Sequence, residues 1–192
     1  MKLIKRVSLY LTNQITADKE YTSLEVIKIK YGLECILSEL SKFILYLAVF
    51  SFLNLTKEFI VATLFFSILR IFTGGFHQKT YFGCLLTSFV ILLLIIKIPY
   101  IINIEYISKL TLIFLAYTLI IIFAPMDHPN KPIPSLKRRR QLKIVSIFLY
   151  SFLLLIVVNL PNTFSNIGLV ALFIQSLTLL LGKIKLKKSQ HT

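Results

Sequence analysis

The chain has 192 residues, of which 56% are hydrophobic, and its formal net charge is +14 at pH 7. A soluble domain of this length cannot cover that much apolar surface, so we predict one polytopic membrane domain over residues 1–192. The basic residues lie between apolar runs and not on an aromatic-interleaved face, which argues against a nucleic-acid-binding protein and indicates membrane orientation.

The first predicted element is an amphipathic helix within residues 1–20. Ile4, Val7, Leu11 and Ile15 recur on one helical face, while basic residues lie towards the other side. Such a helix either lies in the membrane interface, attracted to anionic lipid, or packs on the cytoplasmic face of the protein itself. The segment lacks the continuous apolar core and the cleavage site of a secretory signal peptide.

A transmembrane bundle is predicted over residues 22–182. Thr22 and Glu25 form a capping-box pattern that starts its first helix, which we expect to project into the cytoplasm before it enters lipid. The fold class is all-α with about six transmembrane helices, at Cys35–Leu53, Phe59–Phe72, Tyr81–Ile96, Leu110–Ala124, Ile144–Leu160 and Asn166–Leu181. Several runs are shorter than the ~20 residues that cross the hydrocarbon, so either the bilayer thins locally or Phe59–Phe72 is re-entrant.

Acidic residues near the first span are candidates for function because charge is costly there. Glu34 is therefore a candidate supporting residue of a site, and the alternative is a boundary glutamate solvated by headgroups. Glu39 is expected to pair with Lys42, three residues further along the helix.

The distribution of basic residues predicts the orientation of the spans. With both termini in the cytoplasm, 18 Lys and Arg residues lie inside, including a basic tail at 183–192, and three lie outside. This asymmetry is a strong positive-inside signal, and it places the stretch from Arg70 to Cys84 on the cytoplasmic side.

The stretch Arg70–Cys84 contains the residues best suited to chemistry. A catalytic cysteine attacks as the thiolate and needs a nearby base, and Cys84 lies about one turn into a helix that Thr80 can cap. His77 precedes that helix and can act as base and then as acid. On one unbroken helix the two residues would be about 10.5 Å apart, so Gly74-Gly75 must allow a break that brings their side chains within about 4 Å.

A proline-rich loop over residues 125–134 is followed directly by Lys137-Arg138-Arg139-Arg140. Proline fixes φ and removes a donor, so the loop is expected to be a stiff, non-helical connector. The basic run can fix the membrane orientation of the chain, bind an acidic peptide, or do both. No cluster of Cys, His and acidic residues has metal-ligand spacing, so no metal or other cofactor is predicted.

At these residues the chain resembles the accessory gene regulator B (AgrB) family of bacterial membrane cysteine peptidases. The resemblance rests on Arg70, Gly74-Gly75-Phe76-His77, Cys84 and the proline-rich loop, and it covers nearly the whole length. Gln78 departs from the small residue that often follows the histidine in the family. The resemblance implies a bacterial cell-membrane endopeptidase that cleaves an AgrD-like pro-peptide and promotes its cyclisation to a thiolactone or lactone.

The same resemblance implies roles for individual residues. Cys84 is the nucleophile and His77 the general base and acid, while Arg70, Gly74 and Gly75 support the site. It also implies a homodimer. Basic residues on the cytoplasmic side are suited to hold the acidic tail of the precursor: Lys79, Lys131, Arg138, Arg139 and Arg140.

Two other classes of protein remain open from the sequence. A small transporter or peptide-export subunit would need paired charges deep in several spans, and beyond Glu39 and Lys42 there are almost none. A non-enzymatic membrane scaffold would tolerate replacement of His77 and Cys84 without consequence.

Overall fold

A computed structural model describes residues 2–17, 21–75, 78, 80–126, 133 and 135–189. Within these residues the chain is all-helical, as predicted, and it forms seven helices: α1 Lys2–Thr16, α2 Ser23–Phe52, α3 Thr56–Thr73, α4 Tyr81–Ile101, α5 Tyr106–Phe123, α6 Leu136–Val158 and α7 Asn162–Ser189. Five of them, α2 and α4 to α7, are long and apolar enough to cross a membrane.

Side-chain caps start the helices that the sequence predicted. Thr22 and Glu25 form a complete capping box at the start of α2, which confirms that prediction. The Thr80 side chain caps the start of α4 by accepting a hydrogen bond from Gly83 N. The Ser135 side chain caps the start of α6 in the same way, by accepting one from Arg138 N. Each oxygen satisfies a backbone donor that the first helical turn leaves without an intrahelical partner.

Contacts at both ends of the bundle show that α3 runs from one end to the other. Tyr100 Oη, at the end of α4, donates to Glu58 Oε1 near the start of α3 at 3.2 Å. Met126 N, just after α5, donates to Thr73 O at the end of α3 at 2.9 Å. Helix α3 therefore runs through the bundle and does not turn back on itself. It is not one of the five helices that are long and apolar enough to cross a membrane, because it contains too many charged residues.

The ends of α3, α5 and α7 lie together. The ammonium of Lys183 in α7 lies over the ring of Phe123 in α5, 5.0 Å from its centroid, while Met126 joins the end of α5 to that of α3. Helices α4 and α6 begin at this same end, which we call the thiol end because it holds Cys84. Three segments predicted to be cytoplasmic, around Arg70, at the start of α6 and at the end of α7, are thus gathered at one end of the bundle.

Helices α3 and α7 form the centre of the bundle. The core side chains of α3 are fully or almost fully buried, among them Phe59, Ala62 and Leu69. A Cβ at Gly168 would lie 2.7 Å from Val157 Cγ2 and 3.3 Å from Phe65 Cδ2, so this glycine lets α7 pack closely on α6 and α3. Large apolar side chains on the outer helices remain exposed, as a lipid-facing surface requires: Phe82, Phe114, Phe148 and Leu155.

Helix α2 is longer than a bilayer core and supports α1. Its 30 residues span about 45 Å, against a hydrocarbon core of about 30 Å. Helix α1 packs on α2 through a face that includes the buried Ser8 and Thr12, and Ser8 Oγ donates to Glu34 Oε1 at 3.5 Å. Leu3 and Tyr10 of α1 stay exposed. Packing on the protein is therefore confirmed, while an apolar surface of α1 is left free for lipid.

Candidate active site

Cys84 lies in the first turn of α4, half-buried at the thiol end of the bundle. Its backbone N–H donates to Thr80 O at 2.9 Å, and the side chain of Thr80 caps the same turn. The sulfur thus lies near the positive end of the helix dipole, where negative charge is stabilised. This location is the one predicted from the sequence.

A buried lysine contacts the sulfur. Lys42 Nζ, from α2, lies 3.3 Å from Cys84 Sγ, and its side chain is 3% exposed. The same ammonium forms an ion pair with Glu39, one helical turn earlier, whose side chain is 70% exposed. The predicted pair of Glu39 and Lys42 is confirmed, and it forms part of the surroundings of the thiol. Ser88 Oγ lies 4.0 Å from the sulfur on the next turn of α4.

Two further contacts hold the start of α4 against α2. Ser41 Oγ and Tyr81 Oη are joined by a hydrogen bond of 2.9 Å. The buried Tyr46 donates from Oη to Leu85 O at 2.7 Å. Together they hold the first turn of α4 against α2 on both sides of Cys84, and so keep the backbone of Lys42 close to that of Cys84.

A polar network from α7 holds the end of α3. Gln175 is fully buried, and its Nε2 donates to Gly74 O at 2.7 Å and to Thr73 Oγ1 at 3.1 Å. Its Oε1 accepts from Arg70 Nη1 at 3.3 Å and from Thr178 Oγ1 at 3.2 Å. The guanidinium of Arg70 also lies over the ring of Phe66, 5.5 Å from its centroid.

The two glycines after α3 allow the chain to leave the helix close to this network. Gly74 has φ +74° and Gly75 has φ +151°, conformations that L side chains rarely adopt. A Cβ at Gly75 would lie 2.6 Å from Thr178 Oγ1 and 2.9 Å from Arg70 Nη1. The predicted break between residue 70 and α4 is therefore confirmed: α3 ends at Thr73 and α4 begins at Tyr81.

Part of the predicted site lies outside the described residues, namely His77, Lys79 and Lys131. Gln78, the neighbour of His77 in the sequence, donates from Nε2 to Thr87 Oγ1 in α4 at 3.3 Å. The distance between His77 and Cys84 stays a prediction. Across the ranges that the structure describes, no group of three or more His, Cys, Asp or Glu residues could hold a metal ion.

The remaining candidates lie apart from Cys84. Arg138, Arg139 and Arg140 are exposed in the first turns of α6 at the thiol end. Glu34 contacts Ser8 of α1 and lies about 12 Å along α2 from Lys42. Cys35, the second cysteine of the chain, is exposed on α2.

Sequence reasoning did not assign Lys42 or Gln175 to the site. The sequence does contain a signal for Lys42, because an ionisable residue within an apolar helix indicates function, and this holds for Lys42 as much as for Glu34. Gln175, Ser176 and Thr178 form a polar group within the apolar stretch 167–181 of α7, and this group is the corresponding signal for the network around Arg70.

The fold and the site define a class of protein: a polytopic helical bundle with an apolar exterior and a thiol beside a buried ammonium at one end. The chain belongs to the accessory gene regulator B (AgrB) family, whose family model matches residues 4–179. The resemblance noted in the sequence is thereby confirmed.

Individual relatives extend over most of the chain. A putative AgrB-like protein of Clostridium beijerinckii is 33% identical over 164 residues, covering 84% of this chain and 80% of that protein. The accessory gene regulator protein B of Staphylococcus aureus (strain bovine RF122 / ET3-1) is 23% identical over 160 residues, covering 82% and 83%. No solved structure matches the chain.

Proposed function

We propose that this protein is a membrane cysteine endopeptidase that cleaves an AgrD-like pro-peptide and promotes its cyclisation to a thiolactone or lactone. The observation that carries the proposal is the placement of Cys84 in a capped first turn, 3.3 Å from the Lys42 ammonium. Membership of the AgrB family supports it. In this proposal His77 is the general base and acid.

The reaction follows from the chemistry of a thiol at this position. Cys84 gives its proton to His77, and the sulfur attacks the carbonyl at the C-terminal end of the pheromone segment. The C–S bond forms and the C–N bond breaks, while the acidic tail leaves as an amine that takes the proton from His77. The pheromone segment remains bound to Cys84 as a thioester.

Cyclisation uses the energy of the thioester. A thiol or hydroxyl of the bound segment gives its proton to His77 and attacks the thioester carbonyl. The ring bond forms as the C–S bond breaks, and Cys84 then regains its proton from His77. A half-buried sulfur at the edge of a bundle limits access by water, which would otherwise hydrolyse the intermediate.

The basic start of α6 supports a role in binding the acidic tail. Arg138, Arg139 and Arg140 lie three to five residues after the N-cap Ser135, near the helix end where the dipole is positive and cations are unfavourable. An acidic ligand would relieve that repulsion, and the thiol end presents the three arginines at the same end as Cys84. Lys79 and Lys131 belong to the same proposed surface by sequence.

The proposed location is the bacterial cell membrane, with both termini and the site in the cytoplasm. The grouping of Arg70, the start of α6 and the end of α7 at the thiol end supports this orientation, because positive charge collects on the cytoplasmic side. Its proposed partners are the precursor peptide, the lipid bilayer and a second copy of the chain.

The test is tail release by purified protein in liposomes, followed by mass spectrometry, with a synthetic AgrD-like precursor. Cys84→Ser should abolish release, since serine is nearly isosteric and far less nucleophilic at neutral pH, and His77→Ala should do the same. Cys35→Ser is the matched control and should retain most of the activity. Release by Cys84→Ser at the parent rate would overturn the proposal.

A further inference from the structure

Lys42 is the buried cation of the site. Its side chain is 3% exposed and contacts both Glu39 and Cys84. A lysine ammonium has three donors and no acceptor, so it can donate to sulfur and to a carboxylate at once. While Glu39 keeps it charged, it cannot take a proton from the thiol, and its effect on the sulfur is electrostatic.

We propose that Lys42 is a further catalytic residue, which stabilises the thiolate of Cys84, and that Glu39 is a positioning residue, which keeps Lys42 charged and directed at the sulfur. The consequence for catalysis rests on the proposed peptidase function, whereas the effect on thiol reactivity does not. Lys42 keeps its own proton throughout. The proton of Cys84 goes to the base of the site or to water.

The ammonium acts at two points of the reaction. Before attack it favours the ionised sulfur, because an opposite charge within about 4–6 Å stabilises an ionised group. The negative charge disappears from the sulfur when the thioester forms. It returns when the ring closes and Cys84 leaves as a thiolate, so the ammonium also stabilises the leaving group.

A purely structural ion pair between Lys42 and Glu39 would leave thiol reactivity unchanged, and this difference can be measured. The sequence contains two cysteines, so Cys84 is the sole thiol in a Cys35→Ser background. The capped first turn of α4 still favours negative charge at the sulfur, so removal of Lys42 should slow thiol alkylation without stopping it.

The experiment measures the rate of Cys84 alkylation by iodoacetamide at pH 7 in detergent. Lys42→Met, which keeps an unbranched side chain one atom shorter and removes the charge, should react about three- to tenfold more slowly. Without the ammonium, a smaller fraction of the thiol is ionised, which lowers the alkylation rate. The decrease in rate is limited because the remaining thiolate is more basic and therefore intrinsically more nucleophilic. Lys42→Arg should stay within about twofold of the parent.

Lys57→Met is the control. It removes an exposed lysine at the far end of α3 and should leave the alkylation rate unchanged. Alkylation of a folded Lys42→Met protein at the parent rate would overturn the inference, whatever happens to tail release.

Glu39→Gln is a second test of the inference, to be used if the Lys42→Met protein does not fold. The carboxylate is 70% exposed, and the amide oxygen of the isosteric glutamine can still accept a hydrogen bond from the Lys42 ammonium, so this variant should fold. This variant should react about twofold more slowly or more, and an unchanged rate would then overturn the inference. Conversely, if the Cys84→Ser protein still releases the tail, the peptidase proposal is wrong, but the alkylation result remains valid.

Discussion

Gln175 in α7 donates a hydrogen bond of 2.7 Å to the carbonyl of Gly74, immediately after α3. The two residues are 101 positions apart in the chain. The turn that leads towards His77 and Cys84 is therefore held by the last helix of the bundle. The same buried amide also accepts a hydrogen bond from Arg70, so one side chain connects two of the residues expected to support the site.

Replacing Gln175 with Met should destabilise the protein and reduce processing. The substitution removes the 2.7 Å hydrogen bond to the Gly74 carbonyl, which keeps the longer one of 3.3 Å from Thr73 Oγ1, and it takes one acceptor from Arg70. Losses of this kind at buried polar groups cost about 1–3 kcal/mol. Thermal unfolding in detergent and tail release measure the two effects. Gln141→Met removes an exposed amide on α6 and should change neither. An unaltered midpoint for Gln175→Met would mean that the network does not stabilise the turn.

Replacing Gly75 with Ala should displace Arg70. At φ +151° a side chain is strained, and the new Cβ would lie 2.6 Å from Thr178 Oγ1 and 2.9 Å from Arg70 Nη1. We expect the free energy of unfolding to fall by about 1–2 kcal/mol. We expect the rate of tail release to fall by more than this loss of stability explains.

Gly32→Ala provides a matched control for Gly75→Ala. A Cβ at Gly32 meets nothing within 4 Å, and the residue lies inside α2. Alanine there should stabilise the helix by about 0.5–1 kcal/mol, because it removes the conformational cost of glycine. Equal behaviour of the two alanine variants would contradict the account of Gly75.

The orientation of the bundle can be tested with single cysteines introduced into a chain that lacks Cys35 and Cys84. Position 139 is at the thiol end, and position 57 is at the opposite end of α3. In intact cells an impermeant thiol reagent should label position 57 and not position 139, because the Lys and Arg residues at the thiol end orient it to the cytoplasm. Labelling at 139 from outside would reverse the topology.

The helices could largely be predicted from the sequence because their signals are local. The capping box at Thr22 and Glu25, the cap at Thr80 and the break at Gly74-Gly75 each depend on neighbours in the chain. The sequence alone does not show whether α3 crosses the bundle or turns back. Its apolar run is short for a span, and its ends carry charged residues. Its burial among the other helices explains how such a helix is accommodated.

The contacts of the site could not be predicted because they join distant helices. Lys42 and Cys84 are 42 residues apart, and their approach depends on how α2 packs against α4. The pairing of Glu39 with Lys42 was visible at helical spacing, but nothing local indicated that the pair faces a thiol. Likewise, the network of Arg70 with Gln175 requires α7 to lie against α3.

The central claim is that Cys84 carries the pheromone segment as a thioester, and mass spectrometry of the intact protein tests it most directly. Protein in liposomes, quenched in acid shortly after mixing with precursor, should carry an adduct equal in mass to the precursor minus its tail. The adduct should map to Cys84, be removed by hydroxylamine, and be absent from Cys84→Ser. Tail release at the parent rate with no adduct on Cys84 at any time would contradict the account.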